Sequence, residues 1–449
     1  MEYDLIIIGG GIGGLLSAYR ARELYPDWRI GLFERGAALE KRICPISNGR
    51  AAGCMHCSNC AIIEGLAGAG AFTNGRFVKT TAYGGCLSQY LGDKKTLLYI
   101  EEVDKILIRC GATTKSYAPA EDIKTECARY HLQLKQAVVK HFGTDGNYII
   151  MQNLIEYLYS RIDIHINEVV HNIDPVSHRI ITAKGEYCGE KLIIAVGRVG
   201  AKWFEGWCHQ HNIEAENSRV DIGVRIELPR SVWAHISDRI YEPKICYTTG
   251  KYEDICSTFC FNDGGYVVGE NSNGVMTVNG FAFAAEHKKS DNSNFALLST
   301  TIFTQPFQNP LDYLKHLIQL GNMLSGSGVL VQRFGDLCHG RRSTEERITA
   351  NPVRPTLAAV AGDLSLCLPK RQLDNIVETI YALNNIAPGT ADASTLLYGV
   401  EAKYYSIKPH FLNNDFEIAP GIYALGDGSG VTRSLAQAGA MGLYVAERL

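Results

Sequence analysis

Short apolar runs alternate with helical periodicity from the start of the chain. Residues 4–8, Asp-Leu-Ile-Ile-Ile, contain a short apolar and largely β-branched run typical of a strand that is buried on both faces of a parallel sheet. The helix-like stretch "LLSAYRARELY" follows, and "WRIGLFERG" supplies a second strand that ends at Glu34. Residues 3–36 are therefore predicted to form a strand–helix–strand unit.

The remaining pattern divides the chain into several regions. Residues 37–90 are rich in Gly, Cys, Ala and Asn without sustained periodicity, which indicates an ordered insertion or a cofactor-contacting loop. Residues 95–160 have a largely helical pattern. Strands are predicted in the segments that follow, "IDIHINEVVHNIDP" and "HRIITAKGEYCGEKLIIAVGR". Strand-like segments with turn signals fill about 205–345, a helical and polar stretch covers 346–390, and 391–449 ends with "GIYALGD" and a helix.

These elements predict an α/β fold with a Rossmann-like nucleotide-binding domain and an inserted mixed α+β substrate domain. The predicted nucleotide-binding domain is discontinuous and consists of residues 1–40, 145–205 and 391–449. The predicted remainder is a cysteine-rich insertion at 41–90, a helical segment at 91–144 and a substrate or cap domain at 206–390.

The composition of the chain limits the classes of binding partner and the location that we expect for the protein. The chain is 46% hydrophobic and 20% charged with a formal net charge of −3, so charge gives no reason to expect nucleic acid or an anionic membrane. The N-terminus has no signal-peptide pattern, and no apolar run reaches the roughly 18–20 residues of a membrane span. A cytoplasmic location is expected, and a reducing cytosol disfavours a disulfide framework among the 14 cysteines.

The first turn carries a G-x-G-x-x-G motif at Gly9, Gly11 and Gly14. The first glycine permits a tight turn, the second lets the backbone approach a pyrophosphate, and the third lets helix and strand pack closely. The helix N-terminus then faces the phosphates. Glu34 follows Gly14 by twenty residues and can accept hydrogen bonds from both ribose hydroxyls.

Two further segments favour FAD over NAD. The stretch "YCGEKLIIAVGR" at 187–198 resembles the strand and turn that close over FAD in two-dinucleotide-type flavoproteins. "GIYALGDGSGVTRSLAQAGAMG" at 421–442 resembles their C-terminal segment, in which Asp427 would contact ribityl or pyrophosphate hydroxyls. A second G-x-G-x-x-G after a mid-chain strand is not found, so a separate nicotinamide-binding domain is not expected.

Four cysteines, Cys44, Cys54, Cys57 and Cys60, have the spacing C-x9-C-x2-C-x2-C. A C-x2-C-x2-C run with one remote cysteine is typical of a [4Fe–4S] cluster, whereas structural zinc more often uses two separated C-x2-C pairs. Zinc, redox-active thiols and buried structural cysteines remain alternatives. His56 lies within the run as a further metal-ligand candidate, although a solvent-facing loop residue is the simpler interpretation.

Several segments carry a family resemblance: "CAIIEGLAGAGAFTNGRF" (60–77), "DIGVRIELP" (221–229), "TFCFNDGGYVVGENSNGVMTVNGFAF" (258–283) and "QRFGDLCHGRRS" (332–343). Together with the C-terminal segment they resemble a family of uncharacterised FAD-dependent dehydrogenases. The resemblance implies an FAD oxidoreductase in which Gly68-Ala69-Gly70 and Thr73-Asn74 lie against the flavin. The family's usual serine–aspartate pair is replaced by Thr73-Asn74. The family's second cysteine, two residues after Cys260, is replaced by Asn262, so a two-cysteine redox pair built on Cys260 at that spacing is excluded.

The residues predicted to bind FAD are Gly9, Gly11, Gly14, Glu34, Arg35, Gly68, Ala69, Gly70, Thr73, Asn74, Val169, Gly197, Gly426 and Asp427. A planar cation can hold a substrate carboxylate or stabilise reduced flavin, which makes Arg225, Arg341 and Arg342 candidates, with structural arginines as the alternative. Weaker candidates for proton donors are Tyr83, Cys86 and His339, and no catalytic residue is assigned.

The sequence therefore predicts an FAD-dependent oxidoreductase of a small organic substrate, in which a [4Fe–4S] cluster exchanges electrons with a ferredoxin-like partner. Flavin joins two-electron substrate chemistry to one-electron carriers, so the cluster would replace the absent nicotinamide domain. A flavin and iron–sulfur electron carrier or redox sensor is the first alternative. An RNA-modifying flavoenzyme is the second, although no basic face is visible in the sequence.

Overall fold

The computed structural model describes residues 2–45, 50, 55, 57, 59–73, 75–216, 219–272, 274–283, 286–303, 307 and 309–449. The chain divides into two compact units. The first unit comprises Met1–Ser116, Ala137–Ser218 and Tyr405–Leu449, and the second comprises Tyr117–Gln136 and Arg219–Tyr404.

The strands are, in chain order, β1 Glu2–Ile8, β2 Ile30–Glu34, β3 Arg76–Lys79, β4 Leu132–Lys135, β5 Val138–His141, β6 Asp163–Ile166, β7 Val170–Asp174, β8 Arg179–Thr182, β9 Glu186–Ile194, β10 Ala215–Glu216, β11 Val220–Pro229, β12 Lys244–Thr248, β13 Ile255–Asn262, β14 Tyr266–Ser272, β15 Val275–Phe281, β16 Asn292–Thr301, β17 Leu330–Arg333, β18 Val360–Ala361, β19 Leu396–Tyr404, β20 Lys408–Pro409, β21 Glu417–Ala419 and β22 Ile422–Ala424.

The α-helices are α1 Ile12–Leu24, α2 Ser88–Leu91, α3 Asp93–Arg109, α4 Glu121–Arg129, α5 Thr144–Tyr159, α6 Ala201–Gln210, α7 Arg230–Ser237, α8 Pro310–Leu324, α9 Phe334–Cys338, α10 Glu345–Thr349, α11 Lys370–Asn384 and α12 Leu435–Ala446. Across the described part of the chain, every helix is too short or too polar to cross a bilayer.

The main sheet of the first unit has the strand order β21-β22-β9-β1-β2-β6, and the strands from β22 to β6 run parallel. The central strand β1 is buried on both faces, with Leu5, Ile6 and Ile7 fully inaccessible, as its continuous apolar run predicts. When only the five parallel strands β1, β2, β6, β9 and β22 are numbered in chain order, their order in the sheet is 3-2-1-4-5. This is the strand order of a Rossmann fold. The predicted fold class is thereby confirmed.

Helices α1 and α12 pack closely because glycines line their contact. A Cβ atom on Gly442 would lie 2.3 Å from the carbonyl oxygen of Gly13, and one on Gly439 would lie 2.6 Å from Leu16. The Ser17 hydroxyl donates to the carbonyl oxygens of both Gly13 and Gly442, at 2.9 and 3.1 Å. This contact fixes the C-terminal helix against the first strand–helix–strand unit.

The second unit is built on a sheet of order β18-β17-β19-β11-β16-β13-β12-β4, antiparallel except for the β17–β18 pair. In β11 the residues Val-Asp-Ile-Gly-Val-Arg-Ile-Glu-Leu at 220–228 alternate strictly between apolar and polar or glycine positions. The apolar positions join a core with α7, α8 and α11. The polar positions are equally buried, so this sheet has two buried faces of different chemistry.

Within the segment predicted as largely helical, the structure contains the strands β4 and β5 in addition to helices. Leu132 and Leu134 are buried, whereas Gln133 is exposed and Lys135 is half-buried. Period-two alternation of this kind belongs to a strand. The strand β4 pairs with β12, so four residues contributed by an earlier part of the chain complete the edge of the second unit's sheet.

Candidate functional site

The glycine motif lies at the carboxyl end of β1, where the strand order of the first sheet reverses between β1 and β9. Gly9 has a φ of +108°, and a Cβ there would lie 2.4 Å from the carbonyl oxygen of Ala195. A Cβ on Gly14 would lie 2.1 Å from the carbonyl oxygen of Gly9. Close backbone packing therefore requires both glycines, as the motif predicts.

Gly11 differs from the other two glycines of the motif. No atom in the described part of the chain lies within 4 Å of the position a Cβ would take there. Gly11 is the N-cap of the thirteen-residue helix α1, and no described side chain caps that helix end. The backbone N–H groups of the first turn and the helix dipole form an anion site, so this surface suits a pyrophosphate.

Glu34 ends β2 beside the motif and is only 6% exposed. Its two carboxylate oxygens accept hydrogen bonds from the backbone N–H groups of Gly10 and Gly36, each at 2.8 Å. These bonds fix the carboxylate, and each oxygen keeps a lone pair for a ribose hydroxyl. Arg35 instead pairs with Glu64 at 2.7 Å, and Val169 is exposed just after β6.

The loop at 61–70 packs on the glycine motif. The Ala67 N–H donates to the carbonyl oxygen of Gly10 at 2.8 Å. Gly68 has a φ of +63°, and a Cβ there would lie 3.0 Å from the Cα of Gly11. The predicted residues Gly68-Ala69-Gly70 thus form a 3₁₀ turn against the motif. Thr73 bonds to the carbonyl oxygen of Gly70, and Asn74 lies outside the described residues.

Arg42 holds that loop, and no sequence pattern predicted its role. Its side chain is buried, and its guanidinium donates to carbonyl oxygens of Ala61, Ile62, Leu66 and Gly68 at 2.7–3.0 Å. Burial lowers the pKa of Arg42 to about 10. One cation therefore fixes the whole course of the loop from the end of the cysteine run to the motif.

Asn147, which sequence reasoning also missed, supports the far end of the same loop. This fully buried residue of α5 donates from its amide to the carbonyl oxygens of Gly70 and Ala71, at 2.6 and 3.1 Å. The local sequence of α5 carries no signal for this role, because the accepting carbonyl groups lie more than seventy residues earlier in the chain.

Two more predicted glycines stand at the same edge of the sheet. Gly197 follows β9 with a φ of +62°, and Gly426 follows β22 with a φ of +79°. Neither has an atom of the described chain within 4 Å of its Cβ position. Asp427 pairs with Arg198, whose guanidinium lies 2.9 Å from its Oδ2. The structure therefore brings the turns after β9 and β22 together beside the motif.

The N-terminus of α12 contacts the loop at 80–87. The buried Gln437 donates to the carbonyl oxygens of Thr80 and Tyr83 at 3.3 and 3.0 Å, and its own oxygen accepts from the Leu87 N–H. Cys86 is half-buried and donates its N–H to the carbonyl oxygen of Val431 at 2.7 Å. Tyr83 and Cys86, both weak candidates, thus lie beside the start of α12.

The cysteine run is described in part. Cys44 and Cys60 are half-buried and Cys57 is exposed, whereas Cys54 and His56 lie outside the described residues. Among the residues the structure describes, no group of three or more His, Cys, Asp or Glu side chains is placed to hold a metal ion. The predicted cluster therefore stays a prediction.

The second unit holds the candidate Arg225 at the centre of the polar face of its sheet. Arg225 and Glu401 are both fully buried and form two parallel hydrogen bonds of 2.8 and 2.9 Å. Asn294 accepts a further hydrogen bond from Arg225 at 2.8 Å. These partners support the structural alternative for Arg225, because a buried guanidinium needs its donors satisfied.

Glu227 is a second buried charge on this face. Its carboxylate accepts hydrogen bonds from the Tyr398 hydroxyl at 2.5 Å, from Thr356 at 2.6 Å and from the Asn292 amide at 3.0 Å. Burial and the neighbouring carboxylate raise the pKa of Tyr398 well above its ordinary value. The hydroxyl therefore stays protonated and donates.

The candidate Arg341 pairs with Asp336, which is buried at the start of α9. Arg341 lies 2.8 Å and Arg347 2.9 Å from its carboxylate. Burial alone would raise the pKa of Asp336, but hydrogen bonds from Arg341 and Ser343 and the charge of Arg347 outweigh that effect and hold the pKa below its usual range. His339 and Arg342 are exposed. Arg341 therefore has an ion-pair partner, Asp336, within the second unit, which supports the structural alternative for this arginine.

Residues 219–404 match a protein family described as "FAD-dependent protein, C-terminal domain-like". The match has the same bounds as the longer segment of the second unit, Arg219–Tyr404. The first unit thus has a Rossmann-like fold, and residues 219–404 of the second unit are similar to a family of FAD-dependent proteins. A search of curated proteins found none that matches the sequence.

Solved structures give distant likenesses. Glycine oxidase from Geobacillus kaustophilus is similar at 11% identity and a TM-score of 0.39, over 100% of this chain and 95% of that chain. A variant of FrdA from E. coli quinol fumarate reductase is similar at 13% identity and a TM-score of 0.43, over 100% of this chain and 70% of that chain. Values this low carry no information about activity or substrate.

Proposed function

We propose that the chain binds FAD at the carboxyl edge of the first unit's sheet and uses it to oxidise or reduce a small organic substrate. The observation that carries the binding site is the set of open Cβ positions at Gly11, Gly197 and Gly426, beside the fixed carboxylate of Glu34. The family match over 219–404 supports FAD as the dinucleotide. Bound FAD supplies hydride and single-electron transfer, and the protein supplies orientation.

The residues present fit the parts of FAD separately. The N-terminus of α1 and the open face of Gly11 suit the pyrophosphate, and Glu34 suits the adenosine ribose. Asp427, tied to Arg198, suits a hydroxyl of the ribityl chain. Reconstitution of the purified protein with FAD tests this assignment, and stoichiometric, saturable binding with a flavin spectrum is the expected result.

We further propose that the four cysteines hold a [4Fe–4S] cluster that exchanges electrons with a ferredoxin-like protein. Support comes from the connection between the run and the FAD site within the first unit. Arg42 binds the carbonyl oxygens of Ala61 and Ile62 next to Cys60, and the same guanidinium binds Gly68, which packs on Gly11. A cluster at this run would therefore lie on the segment that covers the pyrophosphate site.

The deciding measurement is the content of iron, acid-labile sulfide and zinc per FAD in protein purified without oxygen. About four irons and four sulfides per flavin are expected for the proposed cluster. One zinc per chain, or free thiols without metal, would overturn the cluster proposal and leave the FAD proposal intact, because the glycine and Glu34 contacts do not involve the cysteines.

The variant Cys57→Ser sharpens this measurement. It is expected to lose most of the iron and all cluster-dependent reduction while it retains FAD, because Cys57 is exposed in the run and takes no part in the glycine motif. Cys338→Ser is the matched control, since Cys338 is also exposed but lies in the second unit. Full iron content in the Cys57 variant would contradict the ligand assignment.

A further inference from the structure

The second unit has an open groove beside one edge of its sheet. The strand β18, Val360–Ala361, ends the sheet on this side. The groove has a volume of about 530 Å³ and is lined by Glu345 and Ile348 of α10, by Pro355 and by residues 357–360. Ile348 is buried, whereas Val360 is 41% exposed. A volume of this size is typical of ligand sites in proteins.

The backbone groups of β18 that point away from β17 are open to a further strand. The N–H groups of Val360 and Gly362 donate towards β17, at 2.9 and 3.0 Å. In a trans peptide the C=O group points opposite to the N–H group that follows it, so the carbonyl groups of Ala359 and Ala361 point away from β17. Among the described residues, neither of these carbonyl oxygens accepts a hydrogen bond. An edge of this kind pairs readily with another extended chain.

The outward N–H group of Ala361 is covered by a side chain of the same unit. It donates to Oε1 of Glu345 at 3.2 Å, and Glu345 is exposed. The strand at the opposite edge, β4, carries Lys135 and Gln133, whereas β18 consists only of valine and alanine. Charged side chains at a sheet edge prevent unwanted pairing. Glu345 therefore protects β18 through one solvent-accessible hydrogen bond, which an incoming strand can replace.

The chemistry of the partner follows from this exchange. A strand that pairs with β18 supplies a carbonyl oxygen to Ala361 in place of Glu345, and its own N–H groups bond to the open carbonyl groups. Glu345 then loses its donor beside the groove, so a positively charged side chain on the strand compensates its carboxylate. The apolar walls at Ile348 and Leu357 suit apolar side chains at alternate positions. A second β18 fits less well, because residues 355–361, Pro-Thr-Leu-Ala-Ala-Val-Ala, carry no positive charge.

We propose that this groove binds an extended apolar peptide segment of a partner protein, and that the segment carries lysine or arginine. The segment adds a strand to β18 and displaces Glu345 from the Ala361 N–H group. No covalent bond changes. The residues involved all belong to Arg219–Tyr404, so the site is independent of the FAD and cluster sites proposed in the first unit.

Fluorescence anisotropy with the purified full-length protein tests this proposal. The probe is the fluorescein-labelled, C-terminally amidated peptide Val-Lys-Val-Lys-Val, and Val-Glu-Val-Glu-Val is its charge-reversed match. Saturable binding is expected, at least about threefold tighter for the lysine peptide, because Glu345 attracts the first peptide and repels the second. Methylation of the backbone nitrogens removes the main-chain donors, so the affinity of the lysine peptide is then expected to fall at least about fivefold.

Variants of the edge locate the binding site. Glu345→Gln is expected to remove the preference for the lysine peptide, whereas Glu346→Gln, at an exposed neighbour that bonds to Thr344, is expected to keep it. Ala361→Pro removes the outward donor at an edge position that tolerates proline, and it is expected to weaken binding of the lysine peptide about fivefold.

Four outcomes would overturn the proposal. Three of them are the absence of saturable binding, equal affinity for the two peptides, and undiminished affinity after backbone methylation. The wild-type protein alone decides these three, even where a variant fails to fold. The fourth is self-association in sedimentation experiments that Ala361→Pro abolishes, because this result would assign the edge to a second copy of the chain.

Discussion

The two units bury polar chemistry in opposite ways. At the carboxyl edge of the first unit's sheet, glycines leave the backbone uncovered and one carboxylate, Glu34, is fixed by backbone donors. On the polar face of the second unit's sheet, charged side chains such as Arg225 and Glu401 are buried against one another. The first arrangement leaves the backbone open to a phosphate group. In the second arrangement, the buried charges are paired with one another inside the unit.

The largest expected effect comes from breaking a pair in the second unit. Arg225→Met leaves the buried Glu401 without its two-bond partner, so the free energy of unfolding is expected to fall by about 3–5 kcal/mol. The double variant Arg225→Met with Glu401→Leu removes both charges and is expected to recover much of the loss. Urea unfolding of the purified variants measures both values.

A control on the same carboxylate separates the pair from general charge loss. Lys403 lies 3.4 Å from Glu401 and is partly exposed, so Lys403→Met is expected to cost no more than about 1 kcal/mol. The pairing account fails if the double variant is as unstable as the single Arg225 variant.

Acid is expected to affect the two units in different pH ranges. In the first unit, burial and the neighbouring Arg76 lower the pKa of His141 to about 4, below its unfolded value of about 6.5. The unfolded chain then binds more protons between these values, so stability present above pH 6.5 is lost as the pH falls toward 4. The loss is up to about 3 kcal/mol for His141, and His165, whose pKa burial also lowers, adds to it.

The second unit is expected to lose stability at lower pH than the first unit. Burial alone would raise the pKa of Asp374, but hydrogen bonds from Lys251 and Lys370 outweigh it and lower that pKa to about 2. The stability that this carboxylate contributes is therefore present above its unfolded value of about 3.9 and is lost as the pH falls toward 2. Pulsed hydrogen exchange resolved by peptide is expected to show the first unit opening at higher pH than the second.

A pair of histidine variants tests the assignment in the first unit. His141→Gln is expected to flatten the dependence of unfolding on pH between 6.5 and 4, while His171→Gln, at an exposed histidine of the same unit, leaves it unchanged. An unaltered slope in the His141 variant would show that other groups carry the dependence.

The next effect is on FAD binding. Gly11→Ala places a methyl group on the open face of the motif without meeting any described protein atom, so the fold is expected to persist while FAD affinity falls at least about tenfold, or about 1.4 kcal/mol. Gly14→Ala is expected to yield unfolded protein, because its Cβ would overlap the carbonyl oxygen of Gly9. Flavin retention and circular dichroism distinguish the two results.

Gly206→Ala in α6 is the matched control for that pair. It also has open space at its Cβ position among the described atoms but lies inside a helix, where alanine is favoured. It is expected to keep FAD and to gain a little stability. Equal losses of FAD in the Gly11 and Gly206 variants would remove the pyrophosphate assignment.

The contrast between the units also explains what the sequence could predict. Gly9, Gly11, Gly14 and Glu34 could be proposed from the sequence because backbone approach and turn geometry restrict the residue type at each position. In the second unit, the alternation in β11 correctly indicates a strand, but a polar face is usually solvated and its burial depends on partners elsewhere. Arg225 and Glu401, for example, are 176 residues apart in the chain.

Arg42 shows the same limit inside the first unit. Its acceptors are carbonyl groups at 61–68, and any residue type supplies a carbonyl, so no residue pattern identified them. The cysteine spacing, by contrast, is visible in the sequence because thiolates are specific metal ligands. The cysteine run could therefore be proposed from its residue types, whereas the role of Arg42, which is held by backbone carbonyl groups, could not.

The smallest expected effect concerns helix caps, and it compares one cap from each unit. Ser434 caps α12 by accepting from the Gln437 N–H at 3.2 Å, and Asn309 caps α8 by accepting from the Asp312 N–H at 3.1 Å. Alanine at either position is expected to cost about 1 kcal/mol of stability. Only Ser434→Ala is expected to weaken FAD binding as well, by a few-fold, because α12 begins beside the loop that Gln437 holds. Equal FAD affinity in both variants would show that the start of α12 lies outside the FAD site, and thermal unfolding with flavin titration measures both quantities.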